Sequence, residues 1–284
     1  MPGRALISEC EASARYGPGS TRRREVLRDT VEVLSDPAKR ERYRRLATEN
    51  LQRWRSEAEP APRSLLLELS PEDWGEATAR LSRRFGTTFA VLNMANAYVP
   101  GGAYVEGAVA QEENLFRRSD CHFSITEHEY DAERDRYHPF MTELLSAVDG
   151  RVYLDVEDYR ICIRGPEFRE REDLGYRWLE DDEVFPFFEL RAAAQDLRGQ
   201  RSFDPEEARR RIAAQLDTLR EHGVRHAVLS AFGCGAFQNP AEQVAALYRD
   251  EIEKRRSDFA VLTFAIYYPG YGRDNFAPFV KVLG

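Results

Sequence analysis

Apolar and polar positions along this chain follow two rhythms. Between residues 21 and 59, Val26, Leu27 and Val31 recur at helical spacing, as do Val33 and Leu34, inside a run dense in charge. Pro37 interrupts the pattern and is expected to separate two helices. The acids and bases interleave there, so the run reads as the solvated face of a helical pair rather than as a surface for a polyanion. A short apolar stretch, LLLEL, comes next, and segment 70–86 then predicts a helix with Ser70 as its cap, Pro71 in its first turn and Gly86 just past its end. From there the rhythm changes to short apolar runs. Residues 87–96, 151–156, 159–165, 226–233 and 259–268 read as strands, with helical patterns near 138–148, 204–222 and 240–256. The stretch 124–139 is polar and unpatterned, and predicts a long surface loop. Strands alternating with helices predict an α/β fold on a mixed or parallel sheet, without internal repeats.

Composition narrows the class. A chain of 284 residues that is 42% hydrophobic can bury a substantial core. A formal net charge of −8 argues against general nucleic-acid binding. No apolar run is long enough to span a bilayer, and the first twenty residues lack the apolar centre of a signal peptide. Cys10, Cys121, Cys162 and Cys234 show no paired spacing and read as reduced thiols, which makes the cytoplasm the expected compartment. The charged run and the loose leader before it set residues 1–60 apart from a unit at 61–284.

The candidate chemistry lies in two glycine loops, each at a predicted strand exit. The first, LNMANAYVPGGAYVEGAVAQEENLFRRSD, carries Asn96, then Gly101, Gly102 and Ala103, then Gln111, Glu112 and Glu113. The second, LSAFGCGAFQNP, carries Gly233, Cys234, Gly235, Ala236 and Phe237, with Asn239 and Pro240 expected as cap and first residue of a helix. Glycines at the carboxyl ends of strands let backbone N–H groups approach an anion, and two such loops favour a diphosphate. The chain has no GxxxxGK[ST], GxGxxG, GxSxG or HExxH pattern. His122 is too isolated to suggest a metal, and Cys234 reads as a small buried residue, since no base partners it.

These loops resemble the signature of the bacterial-type poly(ADP-ribose) glycohydrolases, a branch of the macrodomain superfamily. That family has a Gly-Gly-Gly run, a spacer and Gln-Glu-Glu, with a Gly-Cys-Gly-Ala-Phe loop much later. The resemblance implies a three-layer macrodomain-like fold with a mixed central sheet flanked by helices, preceded by a helical accessory segment. It implies a hydrolase that releases ADP-ribose from poly- or mono-ADP-ribosylated substrates, with no metal and no cofactor. Glu113 would be the catalytic acid and Glu112 would hold ribose hydroxyls or orient its neighbour. Asn96 would meet the distal ribose, Phe237 would pack on a ribose, and the two glycine loops would flank the diphosphate. One of Tyr267, Tyr268 and Tyr271 would stack on adenine. Ala103 departs from the family by replacing the third glycine. That departure motivates an alternative, a reader that binds ADP-ribose without cutting it, and a more distant reading is an enzyme acting on another nucleotide diphosphate.

Overall fold

The computed structural model describes residues 9–17, 19–268 and 273–284. After a short helix α1 (Glu9–Tyr16), the predicted helical pair forms as α2 (Ser20–Ser35) and α3 (Pro37–Ser56). Pro37 occupies the first turn of α3, where its missing N–H costs nothing, and Asp36 caps that helix by accepting from the N–H groups of Ala38 and Lys39.

The centre is a six-stranded sheet. Its strands are β1 (Leu66–Ser70), β2 (Ala90–Met94), β5 (Tyr153–Cys162), β6 (Phe185–Ala192), β7 (His226–Leu229) and β8 (Val261–Ala265), in the spatial order β1-β8-β7-β2-β6-β5. All neighbours run parallel except β5, which lies antiparallel to β6 at the edge. Alternation across the pleat sorts the side chains between two cores. Leu92, Leu190, Leu229 and Phe264 face α7 (Pro205–Glu221), α8 (Ala241–Lys254) and α9 (Phe276–Leu283). Val91, Phe187, Val228 and Val261 face α4 (Trp74–Phe85) and α5 (Gln111–Arg118). Leu27 of α2 and Trp54 of α3 join this second cluster. The result is the expected three-layer α/β fold.

Several local expectations are corrected. Ser70 ends β1 opposite Ala265, and Asp73 caps α4 by accepting from Gly75 and Glu76 N–H. Gly86 does end that helix, in the left-handed region at φ 58°. The two strands predicted at 151–165 are one strand, β5, whose register shifts between Asp155 and Arg160. The stretch 124–139 is not all loop. It holds a small hairpin of β3 (Tyr130–Asp131) and β4 (Arg136–Tyr137), with both tyrosines buried, before α6 (Pro139–Leu145). Pro240 flanks α8 and Ala241 begins it, while the Asn239 side chain turns inward to donate to the carbonyls of Gln195 and Gly233. Strand β6 and helix α9 were not anticipated.

Trp54→Ala removes a buried indole that joins α3 to the sheet, so the unfolding free energy should fall by about 3–5 kcal/mol. Urea denaturation followed by far-UV circular dichroism and by fluorescence should still give one coincident transition. Two separated transitions would show that residues 20–56 fold apart from the sheet.

Candidate active site

The carboxyl ends of β2 and β7 lie side by side, and the two glycine loops leave from them. From β2 the chain turns through residues 95–110 and enters α5 with Gln111, Glu112 and Glu113 as its first turn. Both carboxyl side chains are buried, with Glu112 4% and Glu113 8% exposed. No side chain caps this helix. Its positive end instead receives two carboxyl groups, a favourable placement for negative charge.

The glycine loop folds back over those acids. Glu112 accepts from Asn96 N–H at 2.7 Å through Oε2 and from Gly101 N–H at 3.0 Å through Oε1. Glu113 Oε1 accepts from Ala103 N–H at 3.1 Å. Beyond that bond, and among the described residues, Glu113 accepts a hydrogen bond only from its own backbone N–H. Gly102 sits at φ 57° with its Cα against the acids, and a Cβ there would run into Glu113 Oε1. Ala103 lies outside the left-handed region, so its backbone does not require the family's third glycine.

Burial raises the pKa of both acids. For Glu112 the shift is well above the ordinary range, increased by the charge of Glu113 and opposed by the Asn96 N–H. For Glu113 the Ala103 N–H and the Arg117 guanidinium work against burial. The larger shift does not make Glu112 the proton donor. Both of its oxygens are occupied by backbone N–H groups, whereas Glu113 takes one N–H from the loop.

Beneath these acids, on the same face of the sheet, lies a buried ion group. Arg191 of β6 donates to both Glu189 oxygens, at 3.0 and 3.1 Å, and Asn93 Nδ2 adds a bond at 2.8 Å. Burial acts to raise the pKa of Glu189, but Arg191 and Arg160 overcome it and hold the group below the ordinary range. Arg191 also reaches Tyr137 of the hairpin.

The remaining expected residues fall as follows. Gln111 is turned onto β2, accepting from Met94 N–H and donating to the Leu92 carbonyl, which occupies its amide within the protein. Asn96 Oδ1 accepts from the N–H groups of Tyr98 and Val99, leaving Nδ2 as the atom able to meet a ligand. The backbone of Gly101, Gly102 and Ala103 was expected to line a diphosphate. Its N–H groups are spent instead on Glu112, the Val99 carbonyl and Glu113. In the second loop the N–H groups of Gly235, Ala236 and Phe237 make no backbone bond among the described residues, and Gly235 and Ala236 are exposed. Gly233 is buried, and Cys234 is buried with its thiol pushed up to about 12, which makes it an inert packing residue. Phe237 packs half-buried beside the core. Tyr267 and Tyr268 lie exposed just past β8, and Tyr271 lies outside the described residues. Among the described residues no group of three or more His, Cys, Asp or Glu is arranged to hold a metal.

Two residues were missed. Arg198 stacks over the Phe237 ring at 5.0 Å and its charge reaches Glu113. Arg117, one turn after Glu113, is fully buried. The i, i+4 spacing on a helix start was the available signal for the second; nothing local marked the first.

The catalytic domain of microbial-type PARG, as a family model, matches residues 20–145. The chain resembles the microbial-type poly(ADP-ribose) glycohydrolases. In structure it is similar to the poly(ADP-ribose) glycohydrolase of Thermomonospora curvata, at 25% identity over 92% of this chain and 99% of that one, with a TM-score of 0.62. The same protein bound to the inhibitor ADP-HPD gives 25% identity over 91% and 98%, TM-score 0.59. The Deinococcus radiodurans glycohydrolase in complex with ADP-ribose gives 26% identity over 86% and 91%, TM-score 0.56. Curated proteins give no match.

Glu113→Gln keeps an oxygen for the Ala103 N–H and removes a charge that burial disfavours. With its pKa raised in the fold, Glu113 contributes stability below its unfolded pKa, and that contribution is lost as pH rises through the folded pKa. The variant should therefore be more stable than the parent at pH 8, with the gap closing towards pH 4. Urea unfolding at both pH values checks the sign. A variant less stable than the parent at pH 8 would contradict this reading.

Proposed function

We propose that this protein is a hydrolase of the poly(ADP-ribose) glycohydrolase type, which releases ADP-ribose from poly- or mono-ADP-ribosylated substrates. The observation that carries the proposal is the Glu112–Glu113 pair, buried at the start of α5 and clasped by the N–H groups of Asn96, Gly101 and Ala103. Cleavage at a ribose anomeric carbon passes through an oxocarbenium-like state, and the departing oxygen must receive a proton. Glu113 suits that step because burial keeps its proton at higher pH and its carboxyl is only partly committed to the loop. It gives the proton to the leaving oxygen as the C–O bond breaks. As carboxylate it then takes a proton from the water that attacks the same carbon.

Glu112 holds its place by two backbone bonds and serves to orient the ribose and its neighbour. Asn96 Nδ2 reaches the distal ribose, the open N–H groups of Gly235 to Phe237 cradle the diphosphate, and Phe237 packs on a ribose. The adenine partner falls to Tyr267, Tyr268 or Tyr271. No metal or cofactor enters this scheme. No helix among the described residues is long and apolar enough to cross a membrane, and we take the cytoplasm as the place of action, where the free, buried Cys121, Cys162 and Cys234 would stay reduced.

Poly(ADP-ribose) and mono-ADP-ribosylated protein, incubated separately with the enzyme, should each be assayed for released ADP-ribose by chromatography. Glu113→Gln should lower release by about 10²–10⁴ while calorimetric binding of ADP-ribose persists. Release from polymer supports the glycohydrolase reading, and release from mono-modified protein alone moves it to the acceptor bond. Binding without release from either substrate would leave a reader.

A further inference from the structure

Arg117 is fully buried, yet its two terminal nitrogens make no hydrogen bond. No carboxylate forms an ion pair with it among the described residues. A guanidinium without such a partner is costly to bury, so the charge that balances it has to be sought nearby. Part of it is Glu167 behind Tyr176, on which the Arg117 charge acts to favour the carboxylate. One helical turn earlier stands Glu113. The i, i+4 spacing puts their Cβ atoms about 5–6 Å apart on one face of α5. The Arg117 charge acts on Glu113 in the direction that favours the carboxylate.

The guanidinium is also anchored from behind. Arg117 Nε donates to the Tyr176 hydroxyl at 3.1 Å, and Asn114 Nδ2 donates to the same oxygen at 3.2 Å. The Tyr176 hydroxyl donates in turn to Glu167 Oε2 at 2.6 Å. With both lone pairs and its one proton in use, that hydroxyl has a fixed direction. Glu167 is held through Oε1 by Arg23 of α2, at 3.0 and 2.7 Å. The backbone at Arg117 is pinned as well, since its carbonyl accepts from Thr30 Oγ1 of α2 at 2.9 Å. Tyr176 itself sits at φ 57°, a region that a bulky side chain occupies only under strain. The turn through Leu174, Gly175 and Tyr176, all at positive φ, is the one that carries the hydroxyl to Arg117.

Resting on the proposed role of Glu113, we propose that Arg117 is a positioning residue for the reaction. Its buried guanidinium, anchored to α2 through Tyr176 and Glu167, stays one helical turn from Glu113 and compensates the charge that Glu113 acquires once its proton has gone to the leaving oxygen. Among the other groups acting on Glu113 are the Ala103 N–H and Glu106 of the glycine loop, its own backbone N–H, Glu112 beside it, and Arg198 from the segment against Phe237. Glu106 and Glu112 oppose the carboxylate and Arg198 is largely exposed, so Arg117 is the buried cation of the set.

The test is the pH dependence of kcat and kcat/KM on ADP-ribosylated substrate. An acid that must hold its proton sets the alkaline limb. Arg117→Met should lower kcat roughly ten- to hundredfold and move that limb upward by about one pH unit. Arg117→Lys, which keeps the charge, should leave the limb near its parental position. Tyr176→Phe should lower kcat less, shift the limb in the same sense and leave KM unchanged. Should Arg117→Met fail to fold, Tyr176→Phe decides, and a parental kcat and limb in that variant overturn the inference. A merely structural role predicts a lower kcat with an unmoved limb in Arg117→Met, which also overturns it. Full activity in Glu113→Gln would remove the role of Glu113 and this inference together, whereas an inactive Glu113→Gln beside an unmoved limb in Arg117→Met removes the inference alone.

Discussion

Two adjacent carboxyl groups are buried at the start of one helix, and the arrangement around them follows from the need to solvate them. An ionisable group withdrawn from water needs hydrogen bonds or an opposite charge in its place. Here backbone N–H groups serve, and they must come from a loop that folds over the first turn of α5. That requirement places positive φ at Gly101 and Gly102, and it excludes a Cβ at Gly102, where Glu113 Oε1 lies. It also reassigns the loop. A run of glycines at a strand exit looks made for phosphate, yet its N–H groups already hold acids. The open N–H groups lie on the neighbouring loop from β7, at Gly235, Ala236 and Phe237.

Glu112, Glu113 and Glu189 lie buried on this side of the sheet, and their surroundings separate them. Glu189 has a bidentate arginine and an asparagine and stays ionised. Glu112 and Glu113 have N–H dipoles and, among the described residues, no ion pair, so burial prevails and both retain protons to higher pH. Neighbouring acids with divergent affinities for a proton are what acid–base chemistry near neutrality requires. The Arg191–Tyr137 bond ties this charge group to the 130–137 hairpin, so a segment that reads as plain surface loop supports the floor of the site.

Most of the framework was legible in the sequence because it follows from local rules. Pro37 starts a helix, Gly86 ends one, and the apolar runs that became β2, β7 and β8 carry no competing signal. The acids behind the glycines were legible through the spacing of the motif. Strand β6 was hidden because Phe185–Ala192 contains Pro186, Glu189 and Arg191, residues that ordinarily mark edges and surfaces. They belong in the interior only because Glu189 and Arg191, two apart on one face, neutralise each other, a fact that pairing reveals and composition conceals. The caps at Ser70 and Asn239 failed for a related reason. Each was a good local choice, but Ser70 was claimed by the β1–β8 pairing and Asn239 by the closure of the second glycine loop.

Composition changes near residue 60, but the contacts that hold α5 begin well before it. Thr30 bonds the Arg117 carbonyl, Arg23 grips Glu167, and the Ser20 carbonyl packs so closely under Gly107 that a side chain there would strike it. Helix α2 therefore touches both ends of the acid-bearing segment, the loop that supplies the N–H groups and the helix that carries the carboxyls. A rigid strut across such a segment restricts the relative motion of donors and acids, and hydrogen bonds of about 3 Å between a loop and a helix persist only if that motion is small. By this argument the position of α2, ahead of the sheet, bears directly on the geometry of Glu112 and Glu113.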